Sequence, residues 1–501
     1  MGLSHRDVKY YFRRHYFVAS GKLRGRPEAP AEADAATESG IIVIISAVFM
    51  VWMVFFMLDM RFIRENPDLV RDGAQAKNIS VDLDGLLELD ARWRELQQRL
   101  QELATEQNKI NREIGPLMGR LKSEKDTVQR TALEAQVAAL RQRPTQIKQE
   151  SVDLQERLKA LQPEIGARLL TIPQPPDADV PRGKSSEDNV ELRKWGTVEP
   201  FAFPVRSHVD LGEQLGLFDV PRGVRLAGSR SYFLTGAGAL LHQAVLRLAM
   251  DMMIFEKGFT PLIVPVLVRE AAMRGTGFFP AGREQAYRVG ELTEIGEDER
   301  FLTGTGEVGL TAFHMDEILE EAQLPRKLVT QSTCFRREAG TYGKDTSGLY
   351  RIHQFDKVEQ VIICRNDRDE SIHWHQQILA NSELLLQRLK LPYRVMQCCT
   401  GDLGPKNASM IDIETWMPSR QAYGETHSAS RLYEFQARRC QMRYRDAQGR
   451  VQYCHTLNNT VVASPRILIP ILELYQNADG TVRVPEALRP YMNGMEIIAH
   501  P

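Results

Sequence analysis

The sequence lacks the cysteine patterns of a disulfide-bonded or zinc-binding protein. Its six cysteines include no C-x-x-C pair and no histidine at metal-site spacing, the patterns by which disulfide frameworks and structural zinc sites are recognised. We therefore expect a protein of a reducing compartment. None of the cysteines lies in a sequence context that would activate a thiol, so none is predicted to be a nucleophile.

Net charge is also nearly absent. The chain of 501 residues carries 64 lysines and arginines against 65 aspartates and glutamates, a formal charge of −1. Such a chain has no overall attraction to nucleic acid, so any RNA contact must use a local basic surface. The length allows two or three domains around one large core, and the balanced composition excludes a disordered or fibrous protein.

One long apolar run is present, at residues 41–58. At roughly 18 residues it is just long enough for a membrane-spanning helix. Its flanking basic residues give only a weak orientation bias, which would leave the N-terminus cytoplasmic. A signal peptide is disfavoured because the run lies far from the start and no small-residue cleavage site follows. The alternative, which we favour, is a chain that starts at Met57 and has no membrane attachment.

Apolar residues recur at spacings of three and four over residues 86–114 and again over 133–165. This repeat predicts two coiled-coil helices. Gly115-Pro116 interrupts the first repeat, so the two helices are expected to pair antiparallel as a hairpin that turns there. Pro144 is expected to kink the second helix.

The far end of this predicted hairpin has more basic than acidic residues. A local basic surface could bind nucleic acid, although a charged helical face is often only solvated. The basic residues assigned to RNA contact are Arg120, Lys122, Lys125, Arg130, Arg141 and Arg143.

A proline-rich stretch follows, residues 172–181, which cannot continue a helix and is typical of a stiff linker. Beyond it a helical stretch (240–257) and β-rich stretches (358–364, 410–416) occur without βαβ alternation or a G-x-G-x-x-G loop, which favours an α+β body with an antiparallel sheet. The predicted divisions are an extension 1–56, a helical arm 57–170, a linker 171–182 and a body 183–501.

Residues 334–359 are predicted to form a strand, a glycine-bearing loop and a second strand. The first strand is predicted to include Arg336 and Glu338, and period-two alternation places both on one face. A guanidinium beside a carboxylate suits a phosphate oxygen and an adenine amino group. An ion pair across the hairpin is the alternative.

The residues from Phe335 to Glu338, with Arg351 to Phe355, resemble motif 2 of class II aminoacyl-tRNA synthetases. The segment 353–359 (HQFDKVE) is similar to the seryl-tRNA synthetase family in particular. The start at Met57, the heptad hairpin and segments 400–404, 435–439 and 455–458 also resemble that family. The likeness covers residues 57 to about 497. It implies an antiparallel-sheet class II catalytic domain preceded by a long antiparallel coiled-coil tRNA-binding arm.

The implied reaction is ATP- and Mg²⁺-dependent activation of L-serine to seryl-adenylate, followed by transfer to the 3′ end of tRNA(Ser). The resemblance places Arg336 on the α-phosphate and the serine carboxylate, Glu338 on adenine, Phe355 against the adenine ring and Arg466 on the γ-phosphate. Arginine forks suit phosphate oxygens, and displacement at phosphorus needs positive charge more than an acid or base. By itself, Arg466 could be a surface residue at a helix start.

Glu425 and Ser428 match the E-x-x-S pattern whose oxygens hold the Mg²⁺ that bridges the ATP phosphates. His427 stands where a small residue is usual. Taken without the resemblance, two oxygens are a thin metal signature, and a polar loop remains the alternative.

The resemblance assigns serine recognition to four further residues. Thr305 and Glu307 match a T-x-E segment that holds the ammonium, while Glu359 and Thr460 match positions that hold the hydroxyl. A site that pairs with a hydroxyl rejects analogues lacking it far better than an apolar pocket could. From its position alone, Glu359 could equally be a residue on the sheet surface.

Two departures from the family pattern are visible. Gly304, Gly306 and Gly309 stand where proline and alanine are commoner, which is expected to loosen the backbone and weaken serine affinity. Asn459 replaces a frequent glycine at a position expected to need a positive φ. Every charged site residue is present, so we expect an active enzyme.

The resemblance also implies a cytoplasmic homodimer in which residues 240–265 form the class II subunit interface. Charging of tRNA(Sec) in addition to tRNA(Ser) stays open. Two alternatives remain, an amino acid:carrier-protein ligase and a membrane-tethered RNA-binding paralogue without catalysis. The predicted arm argues against the first, and the retained charged residues argue against the second.

Overall fold

The computed structural model describes residues 59–290, 299–340 and 348–500. The apolar run 41–58 and the candidate start Met57 lie outside these residues. The described helices are α1 (Met60–Glu65), α2 (Pro67–Ala76), α3 (Leu83–Ser123), α4 (Thr127–Thr171), α5 (His208–Gln214), α6 (Val220–Ala227), α7 (Gly236–Asp251), α8 (Glu270–Gly275), α9 (Glu307–Ala312), α10 (Arg368–Arg388), α11 (Phe435–Arg439) and α12 (Leu468–Leu474).

The described strands are β1 (Val190–Trp195), β2 (Phe218–Asp219), β3 (Phe233–Leu234), β4 (Thr260–Pro261), β5 (Leu267–Arg269), β6 (Tyr287–Val289), β7 (Arg300–Leu302), β8 (Ile318–Glu320), β9 (Arg326–Phe335), β10 (Gln354–Cys364), β11 (Tyr393–Gln397), β12 (Ser409–Met417), β13 (Ala422–Tyr433), β14 (Arg443–Arg445), β15 (Val451–Tyr453), β16 (His455–Ser464), β17 (Val482–Arg483) and β18 (Ile497–Ile498).

Helices α3 and α4 form the predicted antiparallel hairpin, which is thereby confirmed. Their apolar stripes meet in one cluster along the hairpin, in which Leu96, Leu103 and Ile110 of α3 pack with Ile147 and Leu154 of α4. This packing supplies most of the stability of such helices, because isolated helices are marginal in water.

The turn of the hairpin differs from the prediction. Helix α3 continues through Pro116 to Ser123, and α4 continues through Pro144. The chain reverses at residues 124–126, where the Asp126 carboxylate accepts hydrogen bonds from the backbone N–H groups of Val128 and Gln129 and so caps α4. The helix cap formed by Asp126 fixes the position of the turn. The first arm helix continues past Pro116 because it packs against the second arm helix on both sides of that residue.

The base of the hairpin is closed by the short helices α1 and α2. Ile63 and Val70 from these helices pack against Leu83 and Leu86 of α3 and against Leu169 of α4. These side chains are all nearly inaccessible to solvent, so the two ends of the hairpin are held together in one small apolar core.

The body contains an eight-stranded sheet in the order β1-β11-β12-β13-β16-β10-β9-β4. Every pairing in it is antiparallel except that of β4 with β9. Helices α7, α10 and α12 cover one face and share the main hydrophobic core with it. The predicted α+β body with an antiparallel sheet is therefore confirmed, and its other face carries the candidate site.

Helix α7 continues as a π-helical turn to Glu256. The segment Gly236–Glu256 is, within the described residues, the one helix long and apolar enough to cross a membrane, and 56% of an apolar 18-residue stretch within it is buried inside the protein. Its buried residues belong to the main core.

Candidate active site

A cleft on the open face of the sheet brings most of the predicted ATP-site residues together. It is lined by residues of β10, β13 and β16 and by the loop between β9 and β10. The lining residues that the sequence singled out are Arg336, Glu338, Phe355, Glu425, His427, Thr460 and Arg466.

Arg336 follows the last residue of β9 and is exposed to solvent. Its Nε donates to the carbonyl oxygen of Gly304 at 3.3 Å, and its guanidinium lies 5.2 Å from the centre of the Phe355 ring. The first contact ties the arginine to the loop before α9, and the second is a cation–π contact. A planar ligand that stacks on Phe355 would therefore lie beside this guanidinium.

Glu338 does not lie on a strand with Arg336. Strand β9 ends at Phe335, and Glu338 has a φ of 53°, in the left-handed region. Its carboxylate pairs with Arg351 at 2.5 Å. The alternation expected for a continuous strand therefore fails here, because the chain leaves the sheet before residue 336, although both side chains still line the cleft.

Arg466 lies between β16 and α12 at the opposite wall. Its guanidinium donates to the carbonyl oxygens of Tyr350 and Glu425, both at 3.1 Å, and lies 4.5 Å from the centre of the Tyr350 ring. The side chain is 22% exposed. These contacts hold a permanently charged group at the mouth of the cleft. Arg466 is therefore not a free surface residue at a helix start, the alternative that the sequence had left open.

Glu425 and Ser428 lie on β13, where a strand without irregularities would direct residues three apart to opposite faces. The pairing with β12 shifts between Ile413 and Glu414, so Glu414 faces Glu425 while Ile413 faces His427. Thr426 is the extra residue of a β-bulge. The bulge restores Glu425 and Ser428 to one side of the strand, which the E-x-x-S spacing alone does not reveal.

A third acid, Asp412, lies opposite Ser428 in the β12–β13 pairing. Its Oδ1 atom is buried without a hydrogen-bond partner, and among the described residues no lysine or arginine pairs with it. Burial raises the pKa of Asp412 well above its ordinary value, and the nearby Glu425 carboxylate adds to this rise. An oxygen-rich corner with an orphaned carboxylate oxygen fits a hard divalent cation such as Mg²⁺.

At the inner end of the site, Glu307 begins α9 and is 4% exposed. One oxygen of its carboxylate accepts hydrogen bonds from Lys406 at 2.5 Å and Gln436 at 2.7 Å. The Thr305 hydroxyl accepts a hydrogen bond from the backbone N–H of Glu307 at 3.2 Å. The T-x-E segment is thus a buried turn held by hydrogen bonds. Burial also lowers the pKa of the Lys406 ammonium.

Glu359 lies beside this turn on β10 and is 1% exposed. Its carboxylate contacts Lys357 at 2.5 Å and the Thr460 hydroxyl at 3.4 Å, since Thr460 is its direct partner on β16. Burial raises the pKa of Glu359, whereas the Lys357 ammonium opposes that rise and the Glu307 carboxylate adds to it. Two carboxylates and two ammonium groups therefore form one buried cluster at the end of the cleft.

Three polar residues of this cluster were not identified from the sequence. Lys357, Lys406 and Gln436 come from β10, the 404–407 loop and α11, and each contacts one of the two glutamates. A lysine at period two from a strand glutamate was a usable signal for Lys357. Lys406 and Gln436 are about 100 residues or more from Glu307 in the chain, so only the fold brings them there.

The glycines of the T-x-E segment are required by close packing. A Cβ atom on Gly306 would lie 2.6 Å from the Thr330 methyl group, and one on Gly309 would lie 2.5 Å from Cβ of Val264. Neither glycine has a positive φ. The neighbouring side chains occupy the space that an alanine methyl would take, so the loosening expected from the sequence is offset by packing.

The expectation that Asn459 occupies a positive-φ position is wrong. Asn459 is a fully buried residue of β16, paired on one side with β10 and on the other with β13, and its φ is not positive. Its side chain accepts hydrogen bonds from Gln360 and Ser382 and donates to the backbone of Ser428. The asparagine thus links the sheet to α10 behind the site.

His427 is 1% exposed, and its Nδ1 lies 2.8 Å from the Thr426 hydroxyl. Burial lowers the pKa of His427 to about 3. The ring is therefore neutral at physiological pH, and it adds no charge to the cleft that it lines.

The basic residues predicted to bind RNA lie far along the arm. Arg120, Lys122 and Lys125 are exposed at the tip, and these three form no ion pair with another described residue. Arg130 pairs with Glu134 on the surface at 3.2 Å, and the Arg141 guanidinium contacts the Met118 sulfur at 3.6 Å.

Arg143 differs from the other basic residues of the arm. It bridges Glu106 of α3 and Glu150 of α4 at 2.7 and 2.9 Å. Hydrogen bonding to Glu106 and Glu150 raises the pKa of Arg143, which stays charged in any case. Its guanidinium is engaged in holding the two arm helices together, which makes it a weaker candidate for RNA contact than the tip residues.

Two family models match the chain. The seryl-tRNA synthetase N-terminal domain matches residues 57–176, and the tRNA synthetase class II core domain (G, H, P, S and T) matches residues 287–475. Among curated relatives, a serine--tRNA ligase of Deinococcus radiodurans is 45% identical over 452 residues, which cover 89% of this chain and 100% of the relative. One from a Synechococcus species is 40% identical over 87% of this chain and 97% of the relative.

Two solved structures are also similar. The seryl-tRNA synthetase of Pyrococcus horikoshii, complexed with ATP, is 36% identical with a TM-score of 0.79 and covers 89% of this chain and 100% of its own. The cytoplasmic serine-tRNA ligase of Naegleria fowleri, in complex with AMP, is 29% identical with a TM-score of 0.75 over 89% of this chain and 99% of its own.

Proposed function

The chain belongs to the seryl-tRNA synthetase family, and we propose that it activates L-serine with ATP and transfers the seryl group to the 3′ end of tRNA(Ser). The observation that carries this proposal is the buried cluster at the end of the cleft. There Glu307 and Glu359 are held by Lys406 and Lys357. Lys357 lines the same cleft as the phosphate-binding candidates Arg336 and Arg466.

Serine fits this cluster by its chemistry. The ammonium group is a hydrogen-bond donor for the Glu307 carboxylate and the Thr305 hydroxyl, and the serine hydroxyl can pair with Glu359 and Thr460. Thr305, Glu307 and Glu359 are buried, so an amino acid that left them without partners would incur their full desolvation cost. Alanine lacks the hydroxyl, and threonine adds a methyl group to a site whose walls are closely packed.

The reaction assigned to the cleft begins with attack of the serine carboxylate on the α-phosphorus of ATP, with pyrophosphate leaving. Arg336 is positioned to neutralise the α-phosphate and orient the carboxylate, and Arg466 to hold the γ-phosphate, with adenine between Glu338 and Phe355. Mg²⁺ held by Glu425 and Ser428, with Asp412 beside them, would neutralise phosphate charge. Fixed positive charge of this kind supplies most of the catalysis in phosphoryl and nucleotidyl transfer.

The arm is assigned to tRNA. A long basic-tipped coiled coil suits recognition of an RNA helix by shape and phosphate contacts, because A-form RNA hides its major-groove edges. We assign Arg120, Lys122 and Lys125 the principal contacts, with Arg130, Arg141 and Arg143 as supporting residues. Any RNA with the same protruding helix and acceptor end, such as tRNA(Sec), is a candidate second substrate.

We further propose a cytoplasmic homodimer whose interface includes residues 240–265. Ile263 is fully exposed in the single chain and Phe255 is 75% exposed, and both lie within this segment. Large apolar side chains exposed near one another favour an interaction surface there. Sedimentation or size-exclusion analysis should give twice the chain mass, and a stable monomer would contradict the assignment.

The proposed function is tested by amino-acid-dependent ATP–pyrophosphate exchange with the full chain. Serine should support exchange at least 100-fold better than alanine or glycine, and charging of tRNA(Ser) should follow. Exchange without charging would favour the carrier-protein ligase, and the absence of exchange with any amino acid would favour the non-catalytic paralogue.

A further inference from the structure

Lys77, the residue that follows α2, is buried in the contact between the helical region and the body. It is 4% exposed, and its ammonium group donates to the carbonyl oxygens of Gly404 at 3.0 Å, Pro405 at 3.4 Å and Asn407 at 2.6 Å. No carboxylate of the described residues pairs with it. Burial lowers the pKa of Lys77 to about 7. A buried cation without a counter-charge is costly, so this lysine is poorly suited to mere packing.

The three carbonyl groups belong to the loop that carries Lys406. The Lys406 ammonium lies 2.5 Å from the Glu307 carboxylate and 3.9 Å from the centre of the Phe278 ring. Its side chain is 14% exposed. The position of the Lys406 backbone therefore decides where its ammonium meets Glu307, and Lys77 holds the backbone on both sides of it.

A second segment from outside the body reaches the same loop. The backbone N–H of Gln174 donates to the carbonyl oxygen of Pro405, and that of Asp177 donates to Ala408, both at 2.8 Å. Residues 404–408 are thus held by α2 from one side and by the chain that leaves α4 from the other. Both holding segments are continuous with the arm helices.

We propose that Lys77 is a positioning residue for serine binding. Through the carbonyl oxygens of residues 404–407 it places the Lys406 ammonium, and through Lys406 it orients the Glu307 carboxylate toward the serine ammonium. The proposal rests on the assignment of Glu307 to serine given above. It makes the base of the RNA-binding arm a structural part of the amino-acid pocket, so serine affinity depends on how that base is seated on the body.

The test replaces Lys77 by methionine in the full chain, which removes the three donors and retains an unbranched side chain. In serine-dependent ATP–pyrophosphate exchange, KM for serine should rise about 10-fold or more, because loss of the Lys77 donor leaves buried carbonyl oxygens without their partner. KM for ATP should stay within twofold, since the contacts of Arg336 and Arg466 do not involve this loop. A general loosening of the fold would instead raise both values.

Arg182→Ala is the matched control. Arg182 forms an exposed ion pair with Asp72 of α2 at 2.5 Å, in the same contact region but without reaching residues 404–407. It should leave KM for serine unchanged. Lys77→Gln, which removes the buried charge and keeps an amide donor, serves if the methionine variant does not fold, and it should show the same selective rise.

A double-mutant cycle separates this route from others. If Lys77 acts through Lys406, then Lys77→Met should have little further effect on KM for serine in a Lys406→Met background. Additive effects would overturn the proposal, as would an unchanged KM for serine in a folded Lys77 variant, or equal rises for serine and ATP. If the unaltered chain gave no serine-dependent exchange, the proposed function itself would fail, and this proposal with it.

Discussion

The charges of the amino-acid pocket and those of the arm tip are arranged in opposite ways. In the pocket, Glu307 and Glu359 are at most 4% exposed and each contacts one lysine at 2.5 Å. At the tip, Arg120, Lys122 and Lys125 project into solvent.

The difference follows from the dielectric surroundings. Burying a charge costs free energy unless its partner is in place. Each charged side chain of the pocket cluster must therefore stay at the position where it meets its partner. Solvated charges interact weakly and interchangeably, and are screened by salt. We therefore expect a single substitution in the body to change activity or stability strongly. At the arm tip, we expect a measurable change only when several basic residues are replaced together.

The largest effect is expected for Arg336→Ala, which removes the fixed charge nearest the Phe355 ring. The rate of ATP–pyrophosphate exchange should fall about 100- to 1,000-fold, as when a single transition-state donor is lost elsewhere. Arg337→Ala is the matched control, because that exposed guanidinium donates to the Glu284 carbonyl oxygen at 3.3 Å and does not line the cleft. Similar losses in the two variants would contradict the assignment.

Lys406→Met tests the buried pair as an element of stability. It leaves the Glu307 carboxylate buried with Gln436 as its remaining donor, and removal of one partner of a buried pair costs about 3–5 kcal/mol. Arg130→Met removes an exposed ion pair of the arm and should cost under about 1 kcal/mol. Urea unfolding of both variants, followed by tryptophan fluorescence, gives the two values. Equal values would break the contrast between body and arm.

Acid should destabilise the body through buried histidines, which helices α3 and α4 do not contain. Burial lowers the pKa of His375 and of His455 to about 4. Between pH 6.5 and 4 the unfolded chain then binds protons that the folded body does not, so stability falls as pH falls. The urea midpoint should decrease from pH 7 to pH 5. His455→Gln should make this decrease shallower, and an unchanged slope would refute the assignment to His455.

The smallest effect is expected at the arm tip. Replacing Arg120, Lys122 and Lys125 together by alanine should raise KM for tRNA about 10-fold near physiological salt and leave pyrophosphate exchange unchanged. The slope of log KM against log salt should also decrease, because fewer phosphate contacts release fewer counterions. Replacing Arg157 and Lys159, on the body-proximal part of α4, should do neither. Equal loss of both reaction steps in the tip variant would refute the RNA assignment.

Much of the fold could be predicted from local pattern. The heptad spacing determined the paired arm helices, because an apolar stripe along a helix has to be buried against a partner. The β-rich stretches and the absence of a βαβ pattern likewise indicated the antiparallel sheet. The turn at 124–126 was missed because Pro116 is a strong local signal, and its effect was overridden by packing along both helices.

The sequence by itself determined the charged site residues that lie in short contiguous motifs, such as Arg336, Glu359 and Arg466. Tertiary structure alone decided how those charges are held. The bulge at Thr426 that aligns Glu425 with Ser428 depends on pairing between strands. The lysine that meets Glu307 comes from about 100 residues away. Such contacts join segments that are distant in the chain, and they form in a protein interior that solvates charge poorly. No local sequence pattern shows which distant segments will come together.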